Sequence, residues 1–235
     1  MIKGERKPLA EIRKLIAPYK RVLILGCNTC TAICFAGGEK EVASLASTLK
    51  ITDGKDKVFT EGIVRRQCEK EYILEAKSQM ENADVILSLA CALGVQAVVE
   101  HYPQFDILPG LNTSFLGIPM EHAVFNEKCI ACGDCIIGLT GGLCPFSRCA
   151  KSLFNGPCGG SVGGKCEISK EVPCVWQQIL DRLKALGRLK VMEDVVPIRD
   201  WTTNSAKGPR SIIKADMKVP EPIKLERSPA GIIKS

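Results

Sequence analysis

Histidine, aromatic residues and long apolar runs are scarce in this chain. Its 235 residues include only two histidines, His101 and His122, which we expect to be structural and which leave few nitrogen ligands for a metal. Aromatic residues make up 5%, too little surface for stacking the bases of a nucleic acid. The apolar runs are too short to cross a bilayer, and the first residues show no secretion signal. We therefore expect a cytoplasmic protein with no membrane span and no nucleic-acid partner.

Phosphate-binding loops are also missing. No Walker motif occurs, and GCNTC, residues 26–30, stands where a glycine-rich dinucleotide loop would follow the first strand. The formal charge of +6 does not indicate a polyanionic partner if the thiols bind metal. A 4Fe–4S core of charge 2+ held by four thiolates carries about −2, so three such clusters would cancel the excess. Cysteine, with thirteen residues, is the abundant chemistry-bearing type. In the cytosol it indicates metal ligands or redox groups before disulfides.

The first half of the chain alternates short apolar runs with amphipathic segments. We predict helices at 8–19, 39–50, 64–80 and 94–102, and strands at 21–25, 57–63, 84–90 and 106–111. This order predicts an α/β fold, a small Rossmann-like parallel sheet with helical crossovers. Cys27, Cys68 and Cys91 fall at or beyond the carboxyl ends of strands, so they can meet at the ligand-binding edge of such a sheet.

The composition changes near residue 125. Nine of the 21 glycines lie between Gly133 and Gly164, and no apolar run there reaches strand length. Such a segment cannot build its own core, so we expect a metal cluster to organise it, followed by an amphipathic helix at 174–190. The predicted division is an α/β domain at 1–124, a cysteine-rich iron–sulfur segment at 125–190, and an extended, partner-contacting tail at 191–235.

The spacing of Cys129, Cys132 and Cys135 is that of bacterial ferredoxins, C-x2-C-x2-C. It favours a 4Fe–4S cluster, with a zinc knuckle as the alternative. In ferredoxins a Cys-Pro often ends the motif after three residues, whereas Cys144 and Pro145 come later here. The fourth ligand is therefore open.

A second rear group has wider intervals that fit either a cluster or zinc. Cys144 competes for a place in it, and its other members are Cys149, Cys158, Cys166 and Cys174.

The front group combines Cys27, Cys30 and Cys34 with Cys91 at a strand end. A cluster at the sheet edge is the first interpretation. A thioredoxin-type dithiol of Cys27 and Cys30, zinc, or plain buried thiols are the alternatives. Cys68 could replace one front ligand, but it lies in a predicted helix and could equally be a core residue.

Several motifs together resemble one family over about residues 20 to 190. They are GCNTCTAICFAGGEKEV, LSLACALGVQAVVE, LNTSFLG, CIACGDCIIGLTGGLCPFSRCAKSLFNGPCGGSVGGKCEI and PCVWQQILDRLK. This set is similar to the methylenetetrahydrofolate reductase C-terminal domain family, which includes the MetV subunits of acetogenic bacteria.

The resemblance implies a non-catalytic electron-transfer subunit in one-carbon metabolism, in the methyl branch of the Wood–Ljungdahl pathway. It implies a flavin-bearing TIM-barrel partner that reduces methylene-tetrahydrofolate to methyl-tetrahydrofolate, and ferredoxin or another module as electron donor. The expected cofactors are two or three 4Fe–4S clusters, with zinc possible at one site and no flavin in this chain. A zinc-stapled scaffold of the same reductase is the alternative.

Overall fold

Two sheets and a cysteine-rich segment make up the computed structural model, which describes residues 1–194, 196–204, 208 and 211. The strands are β1 Ile2–Arg6, β2 Arg21–Cys27, β3 Val58–Val64, β4 Val85–Leu89, β5 Ile107–Pro109, β6 Leu111–Glu121 and β7 Val124–Cys129. The helices are α1 Leu9–Leu15, α2 Cys30–Ile33, α3 Glu39–Asp53, α4 Lys70–Glu75, α5 Lys77–Glu81, α6 Ala92–His101, α7 Pro145–Arg148 and α8 Val175–Ala185. Short 3₁₀ turns span Leu189–Glu193 and Trp201–Thr203.

A four-stranded parallel sheet in the order β3-β2-β4-β5 carries the first half of the chain. In β2 the apolar side chains alternate between two faces. Val22 and Ile24 belong to one buried cluster, which also contains the apolar face of α3. Leu23 and Leu25 belong to the other, which includes residues of α4 and α6. Because helices cover both faces of the sheet, its inner strands are nearly continuous apolar runs, which is typical of parallel sheets.

The predicted parallel sheet with helical crossovers is therefore confirmed. The helix predicted at 64–80 is wrong at its start, because a turn occupies residues 65–69 before α4 begins at Lys70. Cys68 lies in that turn and not in a helix. The reason is tertiary: the buried side chain of Gln67 hydrogen-bonds to the ends of β2 and β4, which are distant in sequence, and so residues 65–69 do not follow a helical path.

A second, three-stranded antiparallel sheet in the order β1-β6-β7 was not predicted. Its strands carry few of the buried apolar residues, so their alternation is weak in the sequence. The hairpin between β6 and β7 turns at Ala123, whose φ of 64° lies in the left-handed region. β7 starts at Val124, beside the boundary expected between the first two domains, and it ends at Cys129. The division into domains stays a prediction.

The predicted helix after the cysteine-rich segment is confirmed as α8, although it ends at Ala185 and not at 190. Its buried side chains form a third, small cluster of Val175, Trp176, Ile179 and Leu183. Most of the tail predicted at 191–235 lies outside the described residues. Its described residues are 191–194, 196–204, 208 and 211, and among them Arg199 and Thr203 hydrogen-bond to the cysteine-rich segment. No helix in the described ranges has the length and apolar character needed to cross a membrane.

Candidate metal centres

The front cysteines lie at the carboxyl edge of the parallel sheet, as the sequence predicts. Cys27 is the last residue of β2, and Cys91 is the residue that caps the start of α6 just after β4. The amide of Cys27 donates to the carbonyl of Gly37 at 2.9 Å. Gly37 must be glycine, because a Cβ there would lie 1.8 Å from the carbonyl oxygen of Leu89. This close approach packs the loop after α2 against the strand ends.

Cys68 joins this edge through a buried polar network. The side-chain amide of Gln67, fully buried, donates to the carbonyls of Leu25 at 2.9 Å and Gly26 at 3.1 Å. The hydroxyl of Ser88 donates to Gln67 Oε1 at 2.7 Å. These bonds tie the turn at 65–69 to β2 and β4, and so they hold the next residue, Cys68, beside the strand ends.

The pKa of the Cys68 thiol indicates which other thiols lie near it. Although the residue is exposed, its thiol is partly withdrawn from solvent. The pKa of this thiol is raised, first by that desolvation and then by the charges of the Cys27 and Cys91 thiolates. Like charges raise a thiol pKa only when they lie close in space. Cys27, Cys68 and Cys91 therefore share one electrostatic site at the sheet edge.

Cys30 and Cys34 flank this site on α2 and its end. The thiol of Cys34 is buried and donates to the backbone carbonyl of Ile2, at 3.3 Å, so it is directed toward β1. Burial raises the pKa of the Cys34 thiol, and the nearby Cys30 thiol adds to the rise. Cys68, the possible replacement ligand, therefore lies near other front thiols, while the thiol of Cys34, one of the predicted front ligands, is directed toward the antiparallel sheet.

The ferredoxin-like spacing folds into a loop shaped around sulfur. The backbone amide of Ala131 donates to Cys129 Sγ at 3.3 Å. Ala131 and Gly133 adopt positive φ angles of 53° and 87°, and such left-handed residues turn successive amides inward. The Cys132 thiol bonds the Asp134 carbonyl at 3.4 Å and also accepts from Arg199 at 3.1 Å.

Cys144 precedes the short helix α7, which packs against both β7 and α8. Two cations lie on these elements. Lys128 of β7 has its pKa lowered, first by burial and then by the charge of Arg148 in α7. In the described chain neither cation pairs with a carboxylate, and Arg148 bonds the neutral Gln178.

The second rear group lines one small cavity of about 20 Å³, although its thiols are up to 25 residues apart. The lining thiols are Cys149, Cys158, Cys166 and Cys174. Backbone bonds from Cys166 to Val172 and from Cys174 to Gly164, both 2.8 Å, fold the 162–174 stretch back on itself. The amide of Gly160 donates to Cys158 Sγ at 3.4 Å. Cys144 does not line this cavity, so the structure separates it from the group for which it competed.

The cysteine sulfurs are ligands of the kind that thiophilic metals such as iron and zinc prefer. All thirteen cysteines are free thiols. Backbone amides point at two of the sulfurs and cations lie beside others, which are features that stabilise thiolate ligands. No group of three or more His, Cys, Asp or Glu side chains within the described ranges is arranged to hold a metal ion. The cysteines are thus gathered by region, and the ligand sets named from the sequence stay predictions.

Sequence reasoning missed Gln67 and Arg199. The buried role of Gln67 could not be predicted, because a glutamine in an apparently helical stretch is ordinarily expected to be exposed to solvent. Arg199 lies in the stretch interpreted as tail, 64 residues beyond Cys135. His101 ends α6, and His122 packs on the ring of Phe35 at 5.3 Å between centroids.

A cavity of about 520 Å³ was also unexpected. It is mostly apolar and lies between the cysteine-rich segment and residues 191–194 and 196–197. The rings of Phe154 and Trp176 form part of its wall.

Comparisons with known proteins bear on the rear half. Neither a curated protein nor a solved structure matches the chain. A family match covers residues 108–202, from β5 to the second 3₁₀ turn, and therefore includes all eight rear cysteines and Arg199. That family is described as methylene-tetrahydrofolate reductase C terminal, and the match confirms over these residues the family resemblance drawn from the sequence.

Proposed function

We propose that this chain is the iron–sulfur electron-transfer subunit of a methylenetetrahydrofolate reductase complex. Electrons from ferredoxin or a similar one-electron donor pass through it to the flavin of a TIM-barrel catalytic subunit. Two such electrons, with two protons, convert methylene-tetrahydrofolate to methyl-tetrahydrofolate on that partner. This chain supplies no catalytic residue.

The observation that carries the proposal is the gathering of thirteen cysteines into three regions. The front region is the sheet edge. The second is the loop from Cys129 to Cys135, with Cys144 at the start of α7, a helix that packs against β7. The third is the small cavity. A 4Fe–4S cluster bound by cysteines supplies reversible one-electron transfer at low potential. Three separate thiol groups in one small chain suit a series of carriers better than one structural staple.

The chain's own residues provide what such carriers need. Backbone amides aimed at Cys129 and Cys158 lower the charge on sulfur. Cys68, Cys129, Cys135 and Cys158 are exposed, so the thiol groups lie near the surface where a partner could exchange electrons. The family description names a reductase, which supports a catalytic partner for this chain.

The first test is composition. The chain is purified without oxygen, and iron, acid-labile sulfide and zinc are measured per polypeptide, with EPR of the reduced protein. The proposal expects about eight to twelve irons, a matching sulfide count and a reduced-cluster signal. Negligible iron with about one to three zincs would contradict it.

The second test is functional and uses the complex with the catalytic subunit. Cys132→Ala should abolish ferredoxin-driven turnover and leave turnover with an artificial flavin reductant intact. Full ferredoxin-driven activity in this variant would exclude a relay through the Cys129–Cys135 loop.

One observation favours a second candidate, a zinc-stapled scaffold that docks and orients the reductase. The cavity lined by Cys149, Cys158, Cys166 and Cys174 is about 20 Å³, which is room for one occupant the size of a water or an ion. Four thiolates around one ion of that size form the usual structural zinc site. This candidate would be favoured by a colourless protein whose zinc content depends on these four cysteines and which shows no reducible centre.

A further inference from the structure

Arg199 is the most deeply buried cation near the cysteines. Only 9% of the residue is exposed. Its guanidinium packs against two aromatic rings, 4.8 Å from the centroid of Phe146 and 5.1 Å from that of Trp201, and these rings also contact each other edge to face. Burying a charge is costly unless an opposite charge compensates it, so this position needs a counter-charge.

The donors of Arg199 point into the Cys129–Cys135 loop. One terminal nitrogen donates to Cys132 Sγ at 3.1 Å and also to the carbonyl of Asp134. The other lies 3.4 Å from the Asp134 carboxylate, whose side chain is 55% exposed. Thr203, four residues on, donates to the carbonyl of Cys132 at 3.0 Å. The segment 199–203 is therefore fastened to this loop at several points.

The counter-charge is incomplete. Nε of Arg199 is buried, and within the described ranges it has no hydrogen-bond partner. Lys128 and Arg148 add two more cations on elements next to the loop, with no carboxylate paired to either in the described chain. Among the described residues, the one carboxylate that pairs with the buried guanidinium is that of Asp134, which is largely exposed to solvent. Such a place suits an occupant with a net negative charge.

We propose that Arg199 is a positioning residue of the centre formed at Cys129, Cys132 and Cys135, where it fixes the Cys132 sulfur and offsets the negative charge of the bound group. The inference rests on the proposed function, since it takes that group to be a cluster held by thiolates. A buried cation stabilises the more negative, reduced state. This centre therefore has a higher reduction potential with Arg199 than without it.

The test uses the full chain, purified without oxygen, in an EPR-monitored redox titration. The signal that Cys132→Ala removes identifies the centre. In Arg199→Gln, the ratio of reduced to oxidised centre at a fixed potential should fall about tenfold, a shift of ~59 mV for one electron. Arg199→Lys keeps the charge and should stay within about threefold of the parent. Arg188→Gln is the matched control, because Arg188 donates to the carbonyl of Gly138 and to no thiol.

A second readout is retention of the metal against a chelator, which does not depend on activity. The centre should be lost at least tenfold faster from Arg199→Gln than from the parent, and Arg199→Lys should restore most of the retention. Equal potential and equal retention in Arg199→Gln and the parent would overturn the inference. Equal loss of the metal from Arg199→Gln and Arg199→Lys would also overturn it. In that case the packing of the guanidinium against the two rings, and not its charge, would hold the centre.

The two proposals fail separately. A parent protein that holds zinc and no iron removes the electron-transfer function and leaves no potential to measure. Retention of the zinc by the Arg199 variants then still decides whether the guanidinium supports the bound group.

Discussion

The two halves of the molecule present cysteines on different kinds of scaffold. The front thiols lie on a parallel sheet whose inner residues, such as Leu23, Ile24 and Leu87, are fully buried. In the stretch 130–174, all of it described, Phe146 is the one large hydrophobic residue that is buried. Seven glycines there adopt positive φ angles, a backbone path that apolar packing does not select. The front is thus ordered by its own apolar core, whereas we expect the order of the rear to depend on what its thiols bind.

This difference separates two roles for the same residue type. A thiol on a preformed edge can lose its metal and keep its place, because the strands fix its Cα. A thiol in a glycine-rich loop loses its place with its metal, because binding free energy there is folding free energy.

Metal removal should produce the largest contrast. After anaerobic treatment with a strong chelator, we expect the amides of residues 130–174 to exchange near their unprotected rates. Those of β2 and β4 should keep most of their protection, because the sheet buries apolar residues on both faces. Hydrogen exchange with peptide-level mass spectrometry measures both regions in one sample. Equal protection of the rear segment before and after chelation would show that it folds without metal.

Ligand substitutions at the front should distinguish Cys68 from Cys34. We expect Cys68→Ala to lose the metal of the front centre, because its thiol shares a site with those of Cys27 and Cys91. Cys34→Ala should retain that metal, because its thiol bonds the carbonyl of Ile2. Metal and sulfide analysis of the two variants measures the difference. The reverse outcome, with loss in Cys34→Ala alone, would restore the ligand set predicted from the sequence.

This pair of cysteines also shows how far the sequence reaches. The apolar runs of β2 and β4 and the amphipathic pattern of α3 predict the parallel sheet, because a strand that is buried on both faces is apolar along its whole length. That sheet alone brings Cys27 and Cys91 to one edge. The position of Cys68 depends on Gln67, whose three bonds to Leu25, Gly26 and Ser88 are tertiary and leave no periodic signal.

Less of the rear half could be predicted. The spacing of Cys129, Cys132 and Cys135 indicates a metal-binding loop, and this stays a prediction. The glycines beyond it predict little apolar core, and in the described stretch 130–174 Phe146 is the one large hydrophobic residue that is buried. The contact of Arg199 with Cys132 spans 67 positions, and no local rule links residues so far apart. The antiparallel sheet could not be predicted either. Its strands β6 and β7 bury few side chains, and so their sequences lack a strict alternation of apolar and polar residues.

The buried network behind Cys68 gives an intermediate effect. Gln67→Ala removes the acceptor of the Ser88 hydroxyl and a buried donor to two strand-end carbonyls, which should cost about 1–3 kcal/mol in the free energy of unfolding. Gln96→Ala is the matched control, because Gln96 is exposed and its side-chain amide donates to Ala92 within its own helix. Urea unfolding of the metal-free chain, followed by a signal from the sheet, compares the two. Equal stability of both variants would mean that the turn at 65–69 is not held by this network.

The smallest expected effect is the pH dependence that Cys34 adds to the front half. Its folded-state pKa lies above the ordinary thiol value of 9.0, because the buried thiol is easier to keep neutral than to ionise. In the unfolded chain the thiol ionises near pH 9 and releases its proton, while the folded chain still holds it. The folded state therefore binds more protons, and stability falls as pH rises from about 9 through the folded pKa. Below that range both states are neutral and no dependence arises.

Removal of the thiol tests this sign. In the metal-free chain, Cys34→Ala should show a shallower fall of unfolding free energy between pH 9 and 10.5 than the parent, and the same slope as the parent between pH 6 and 7.5. Urea unfolding across both ranges gives the two slopes. A steeper fall in Cys34→Ala at high pH would mean that the folded state favours the thiolate, as at a metal ligand. That result would place Cys34 among the front ligands and narrow the contrast between the two halves, since even the best-buried front thiol would then depend on charge rather than on packing.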